Sequence, residues 1–277
     1  MPTYYEIHFN CPSEIVDILI AELSAQEYDS FEENEEGFIA YIEKKKFEHD
    51  PILQLIERYN RYSIQYKVGN LEDRNWNEEW EKNYDPIIIE NQCLIHATFH
   101  KVEEKYPVDI IINPKMSFGT GHHSTTYLMV QSMLNIDFEG KKVVDAGTGT
   151  GVLAILAKIK GASSVLAVDN NLWAVENAKE NVELNKVNDI EVKECTISEL
   201  GSDHYYDILL ANINRNVLLE EMEYYRNSVT SDGIILLSGF YERDETLILQ
   251  KAREFGLKLE DKLTKNNWSA LKLSTAL

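Results

Sequence analysis

The sequence predicts two α/β units: a small ferredoxin-like α+β domain over residues 1–70, then a Rossmann-like domain with a seven-stranded sheet over residues 87–277, joined by a linker helix at 71–86. Three observations predict this. The first seventy residues read as strand, helix, strand, strand, helix, strand. From Lys142 onward, apolar strands alternate with amphipathic helices, the rhythm of a parallel sheet covered by helices. Between the two lies a polar segment whose aromatic residues recur at helical spacing.

In the first unit, Thr3 to Phe9 is strand-like, and Ile15, Ile18, Leu19 and Leu23 then recur at helical spacing after Pro12, with Ser13 the expected N-cap. Tyr28 to Glu33 and Phe38 to Ile42 alternate around Glu35-Glu36-Gly37, as in a hairpin. Asp50 is the expected cap of a second helix, with Pro51 at its first position and Ile52, Leu53, Leu55 and Ile56 on its apolar face. Ser63 to Val68 closes the unit as a strand. In the connector, Trp76, Trp80 and Tyr84 stand four apart and share one helical face, which reads first as packing against a neighbouring element.

Short strands follow at Ile87 to Glu90, Cys93 to Thr98 and Val108 to Ile112, and a helix from Thr126 to Leu134. The alternating series is Val143–Asp145, Val152–Lys160, Ser164–Val168, Leu172–Asn185, Ile190–Glu194, Asp207–Asn212, Val217–Tyr225 and Gly233–Ser238, then a helix through Arg253. Leu257 to Thr264 and Trp268 to Leu273 form an antiparallel pair at one sheet edge.

Composition excludes several classes of function. Of 277 residues, 44% are apolar and 27% charged, as in globular proteins and unlike disordered chains. No apolar run is long enough for a membrane helix, and the N-terminus lacks a basic region followed by an apolar stretch, so a cytoplasmic chain is expected. Cys11, Cys93 and Cys195 are widely separated, without zinc spacing, and read as reduced core residues. The formal charge is −20, of which −13 lies in residues 1–100, which argues against nucleic-acid binding and for a basic partner. Lys44-Lys45-Lys46 reads as a solvated strand end. A monomer is expected, because no pattern demands a partner surface.

Asp145-Ala-Gly-Thr-Gly-Thr-Gly151 falls at a strand-to-helix junction, where Gly147 and Gly149 let backbone approach a ligand and a helix N-terminus offers N–H groups. Asp169, twenty-four residues after Asp145, ends the next strand, where an open α/β sheet sets a carboxylate against ribose hydroxyls. NAD and S-adenosylmethionine compete for such a cradle. The spacing Gly149-x-Gly151-x-x-Ala154 is compatible with the former, but Asp145 would crowd a pyrophosphate, whereas a carboxylate can hold the ammonium of S-adenosylmethionine. Adjacent His122 and His123 point apart and have no third partner at metal-ligand spacing, so no metal is expected; His96 and His100 read as surface or core histidines.

Phe118-Gly-Thr-Gly121, followed by His123 and Thr125-Thr126, then the glycine loop and Ala211-Asn212-Ile213 after the fourth strand of the series, resembles the ribosomal protein L11 methyltransferase family. The resemblance covers essentially the whole chain, including W-x-x-x-W at Trp76 and Trp80. It implies a ferredoxin-like substrate-recognition domain, a Rossmann-like seven-stranded methyltransferase domain, S-adenosylmethionine as cofactor, and methylation of lysine side-chain or α-amino nitrogens of ribosomal protein L11. It also implies that Thr126, Gly147, Asp169 and Asn212, with Gly149 in the same loop, hold the cofactor. The chain departs from the family pattern at Lys115, Ser117, His122, Ser124 and Asn214.

Asn212 at a strand's C-terminal end is the expected catalytic residue, orienting the amine, although it could instead cap the following helix. Ile213 and Asn214 place no ring after it, which suits an aliphatic amine better than a nucleobase or amide. No residue stands out as a dedicated general base. The other readings of the motifs are a methyltransferase for another protein or a small molecule, and a non-enzymatic assembly or RNA-binding module with a degenerate cofactor domain.

Overall fold

A computed structural model describes residues 4–24, 26–34, 36–70, 84–113, 119–201 and 205–275. Trp76, Trp80, Lys115, Ser117 and Phe118 lie outside the described residues. The chain divides into two compact units, Met1–Asn83 and Tyr84–Leu277.

In the first unit, β1 (Tyr4–Asn10), α1 (Ser13–Ser24), β2 (Ser30–Asn34), β3 (Gly37–Glu43), α2 (His49–Arg58) and β4 (Gln65–Asn70) build an antiparallel sheet of order β2-β3-β1-β4. Ile7 and Phe9 alternate inward from β1 and meet Ile15, Leu19 and Leu23 of α1 and Ile52 and Leu55 of α2, so one sheet face and two helical stripes make the core. Two boundaries differ from expectation by a residue or two. Ser13 is already helical, and α2 starts at His49 with Glu48 as its N-cap, so Asp50 and Pro51 fall within the first turn. Proline is tolerated there because first-turn N–H groups have no intrahelical partner. The Lys44–Lys46 run forms a short 3-10 turn in which Lys45 pairs with Glu43 at 2.6 Å.

The second unit opens with β5 (Ile87–Ile89), β6 (Cys93–His96) and β7 (Val108–Ile111), a small sheet of that order. Tyr84 to Pro86 carry no helix, so the expected helix at 71–86 does not reach its end: the residue before a proline is driven away from the α region. Next come α3 (Ser124–Leu134), β8 (Lys142–Ala146), α4 (Val152–Ile159), β9 (Ser164–Asp169), α5 (Leu172–Leu184), β10 (Ile190–Glu194), β11 (Tyr206–Asn212), α6 (Arg215–Ser228), β12 (Val229–Tyr241), α7 (Glu245–Glu254), β13 (Leu257–Lys265) and β14 (Trp268–Thr275).

The main sheet runs β10-β9-β8-β11-β12-β14-β13, with β14 antiparallel to both of its neighbours. Its central strands are buried on both faces: Val143 and Leu210 face α3 and α4, while Val144, Leu209 and Ala211 face α6 and α7. That double burial explains their near-continuous apolar runs. Asn266 and Asn267 both have positive φ, making the two-residue turn that joins β13 to β14. Strand order reverses around β8, which puts a crevice at the C-terminal ends of β8 and β11.

Candidate active site

A cavity of about 570 Å³ occupies that crevice. Gly147 and Gly149 follow β8 at its floor, Asp169 ends β9, Asn212 ends β11, and Gly239 lies in β12. His123 and Thr125 from the start of α3, and Trp268 from the start of β14, complete the wall.

The backbone amides of the glycine loop are satisfied within the fold. The N–H groups of Gly147 and Thr148 both donate to the Val168 carbonyl, at 2.8 and 2.9 Å, that of Gly149 donates to Asp169 Oδ2 at 3.0 Å, and that of Gly151 to the Thr148 carbonyl at 2.9 Å. These four amides are therefore not offered to an anion, contrary to the sequence reading, and this disfavours a pyrophosphate on firmer ground than charge alone. The Thr150 hydroxyl donates to the Gly119 carbonyl at 2.6 Å, joining the loop to the Gly119-Thr-Gly121 motif. Behind them, a stripe of asparagines on α5 holds the chain entering that motif: Asn185 brackets Ile111, and the Asn113 N–H donates to Asn181 Oδ1 at 3.0 Å.

Of the two aspartates, Asp169 stands where it was expected and Asp145 does not. Asp169 lines the cavity, half-buried, its oxygens accepting from Gly149 N and Asn171 N at 3.0 Å each. A carboxylate so held retains lone pairs for hydroxyl donors. Asp145, expected to hold a ligand ammonium, is fully buried and does not line the cavity. On β8 it shares the face of Val143, turned toward α4, and its Oδ2 accepts the Thr148 hydroxyl at 2.6 Å while Oδ1 completes no hydrogen bond. Burial pushes its carboxyl up to about 7, with the Thr148 hydroxyl and the Ala154 amide opposing and the charge of Asp169 adding to the rise. Asp145 braces the loop from beneath.

Asn212 lines the cavity, its Nδ2 donating to Thr126 Oγ1 at 3.4 Å and its Oδ1 buried without a hydrogen-bond partner. Thr126 is fully buried and is not among the lining residues; it lies behind Asn212. Asn212 is not a cap: that role falls to Asn214, whose side chain accepts from the N–H groups of Asn216 and Val217. The Ile213 N–H donates to the Ser238 carbonyl at 3.2 Å, and Gly239, with φ of 98°, passes so close to Ile213 that a Cβ would stand 2.6 Å from its carbonyl carbon.

His123 is the N-cap of α3, its Nδ1 accepting from the Thr125 N–H at 3.3 Å. An acceptor Nδ1 means a neutral imidazole protonated at Nε2, and burial lowers its pKa in the same sense. Its ring meets Trp268 edge-on, with centroids 4.6 Å apart, and Trp268 packs on Tyr241 at 4.0 Å. The absence of a ring after Asn212 is thus made good by the distant β13–β14 hairpin, which no local pattern reveals. Two of the departures find partners here: Ser124 Oγ accepts from Asn266 Nδ2 at 3.1 Å, and His122 packs on Tyr84 with centroids 4.4 Å apart. His96 pairs with Asp109 at 2.9 Å, and His100 accepts from the Ala97 N–H at 3.0 Å. Among the described residues, no group of three histidine, cysteine or acidic side chains could hold a metal ion.

The β10 side of the cavity was not foreseen. Cys195, half-buried rather than in the core, precedes Thr196 and Ile197, and Val217 and Glu221 of α6 also line this wall. Trp173, 79% exposed, stands at the rim.

The model of the ribosomal protein L11 methyltransferase family (PrmA) matches residues 11–276. A ribosomal protein L11 methyltransferase of Porphyromonas gingivalis is 43% identical over 261 residues, 93% of this chain and 90% of its own. One from Bacteroides thetaiotaomicron is 40% identical over 277 residues, 98% of this chain and 99% of its own. The crystal structure of a ribosomal protein L11 methylase from Lactobacillus delbrueckii subsp. bulgaricus superposes with a TM-score of 0.64 at 28% identity, covering 69% of this chain and 99% of that one. The chain belongs to the ribosomal protein L11 methyltransferase family, whose cofactor is S-adenosylmethionine.

Proposed function

We propose that this chain methylates lysine side-chain and α-amino nitrogens of ribosomal protein L11, and that the cavity at the ends of β8 and β11 is where it does so. The observation that carries the reading is Asn212 Oδ1, a buried carbonyl oxygen with no partner in the wall of that cavity. A buried acceptor without a donor costs roughly 1–3 kcal/mol, which a ligand N–H would recover. The other residues fit S-adenosylmethionine: a cavity of suitable size, loop amides closed to phosphate, and Asp169 placed for ribose hydroxyls. Gly147, Gly149, Asp169 and Asn212 hold the cofactor in this reading. Thr126, behind the wall, acts through Asn212 by fixing its amide.

The bound cofactor supplies an electrophilic methyl group on a sulfonium centre. The chain's own contribution is alignment, because direct displacement at carbon needs the nitrogen in line and uncharged. A lysine has a reference pKa of about 10.4, and the apolar edges of Trp268 and neutral His123 disfavour its charged form. Asn212 Oδ1 then accepts from the neutral amine and points its lone pair, with water taking the departing proton.

The acidic first unit docks the basic substrate. Glu14, Asp17, Glu32, Glu33 and Glu36 are all exposed on it. The same field repels ribosomal RNA, so the free ribosomal protein is the substrate rather than the assembled subunit, and the enzyme works as a cytoplasmic monomer without binding nucleic acid.

The test is to incubate the chain and Asn212→Ala with labelled S-adenosylmethionine and either free L11, assembled large subunits or a small-molecule extract, locating label by mass spectrometry. Label on amines of free L11, a turnover at least 100-fold lower in Asn212→Ala, and weaker label on assembled subunits at low salt are expected, as for loss of a transition-state contact of about 3 kcal/mol. Full turnover by Asn212→Ala with unchanged cofactor affinity would remove Asn212 from the mechanism. Label only in the extract would move the substrate to a small molecule.

A further inference from the structure

We infer that Glu221 reads the 6-amino group of the cofactor's purine and so sets its nucleobase specificity. The inference rests on the reading that puts the cofactor in this cavity with its ribose on Asp169. On the β10 side of Asp169, the lining continues through Thr196 and Ile197, and α6 contributes Val217 and Glu221, one turn apart. Ile197 is buried and Val217 half-buried, which makes this end of the cavity apolar, as a flat aromatic ring requires.

Glu221 is the one carboxylate that α6 adds to that wall. It borders the buried face made by Leu218, Met222 and Tyr225, and it is itself half-buried. The hydroxyl of fully buried Tyr225 donates to its Oε2 at 2.8 Å, which fixes the plane of the carboxylate. Its Oε1 takes no hydrogen bond or ion pair among the described residues. Burial raises the pKa of Glu221, Tyr225 opposes the rise, and the nearby charges of Glu220 and Glu199 add to it, as expected for an anion short of donors. An apolar slot with one oriented and uncommitted acceptor matches a purine carrying an exocyclic amine, because the ring satisfies the walls and the N–H satisfies Oε1. No step of methyl transfer assigned above uses Glu221.

The experiment is calorimetric binding of S-adenosylhomocysteine, and of its analogue with hydrogen in place of the 6-amino group, to the full chain and to Glu221→Leu, Glu221→Gln and Asp169→Asn. A hydrogen bond to a charged acceptor gives the unaltered chain a preference of about tenfold or more for the amino form. Glu221→Leu loses that factor on S-adenosylhomocysteine and binds the analogue unchanged. Glu221→Gln keeps a reduced preference, since its one amide oxygen can accept from the purine amine while the Tyr225 hydroxyl turns to accept from the amide N–H, and it serves also if the leucine variant fails to melt cooperatively. Asp169→Asn weakens both ligands alike. Equal losses on both ligands in Glu221→Leu, or no preference in the unaltered chain, would overturn the role of Glu221 while leaving the cavity assignment intact. Unchanged binding of both ligands to Asp169→Asn would instead overturn that assignment, and this inference with it.

Discussion

The glycine loop and the Asn212 wall face the same cavity and handle hydrogen bonding in opposite ways. In the loop, the amides of Gly147, Thr148, Gly149 and Gly151 are all committed inside the fold, Asp169 already accepts two of the protein's N–H groups, and Asp145 is sealed beneath. At the wall, Asn212 Oδ1 is buried and unpaired, and the residue after it is pinned by a close backbone approach from Gly239. A cradle whose backbone amides are satisfied, and whose one unpaired oxygen, on Asp145, is sealed away from the cavity, contributes shape. A wall with an unsatisfied acceptor contributes recognition, because only a donor arriving with a ligand completes it.

Displacing the wall should do more harm than crowding the loop. Gly239→Ala places a Cβ 2.6 Å from the carbonyl carbon and 2.8 Å from the nitrogen of Ile213, at a φ of 98°. No rotamer change relieves a clash with backbone, so Ile213 must shift and Asn212 with it. We expect a stability loss of about 3 kcal/mol and turnover reduced at least 100-fold. In the loop, Gly147→Ala meets only side-chain atoms of Ile213, at 2.9 and 3.0 Å, with a φ of 71°. It should cost about 1–2 kcal/mol and leave measurable turnover. Urea denaturation and initial rates measure both, and equal effects from the two substitutions would show that loop and wall do not differ in tolerance.

Beneath the loop, buried Asp145 makes stability depend on pH. Its carboxyl is raised from 3.8 to about 7 in the folded chain, so between those pH values the native state holds a proton that the unfolded chain has released. Its contribution to stability is therefore fully present below about pH 4 and is lost as pH rises through 7. Asp145→Asn mimics the protonated form at every pH. The variant should gain stability relative to the unaltered chain as pH goes from 4 to 7, by an amount on the order of a few kcal/mol, and the difference should then level off. Denaturation midpoints across this range test it; a difference that shrinks with rising pH would mean that Asp145 is ionised and held by partners.

What the sequence made legible follows the same division. Asp169, the glycines of the loop and Asn212 could be found because each sits at a strand end, and strand ends are marked by local pattern alone. The role of Asp145 was misread because its place in the motif outweighed its place in the strand: it alternates with Ala146 and falls on the side of Val143. Trp268, Glu221 and Gly239 left no signal, since each reaches the cavity through packing of an element far away in the chain. Their local context, a hairpin edge, an amphipathic helix and an apolar strand, is what any α/β sheet contains. In the first unit the βαββαβ order was readable from periodicity, while helix starts shifted because Asp50 and Ser13 suit a first turn as well as a cap.

The hairpin that completes the wall is held by several contacts and should tolerate the loss of one. Ser124 accepts a hydrogen bond from Asn266 at the turn between β13 and β14. This contact ties the turn to the start of α3, two residues from Trp268 and next to His123. Its loss in Ser124→Ala leaves Trp268 held by the Tyr241 ring at 4.0 Å and by pairing with Lys265 and Tyr241 along the strands. Asn266 is exposed, so its amide finds water instead, and the stability change should stay within about 1 kcal/mol. Cofactor affinity should be unchanged, because the loop and Asp169 are untouched, while KM for L11 should rise two- to threefold, because Trp268 in the cavity wall loses one of its supports. A change in cofactor affinity equal to the change in KM would show that the hairpin serves the cradle as much as the wall.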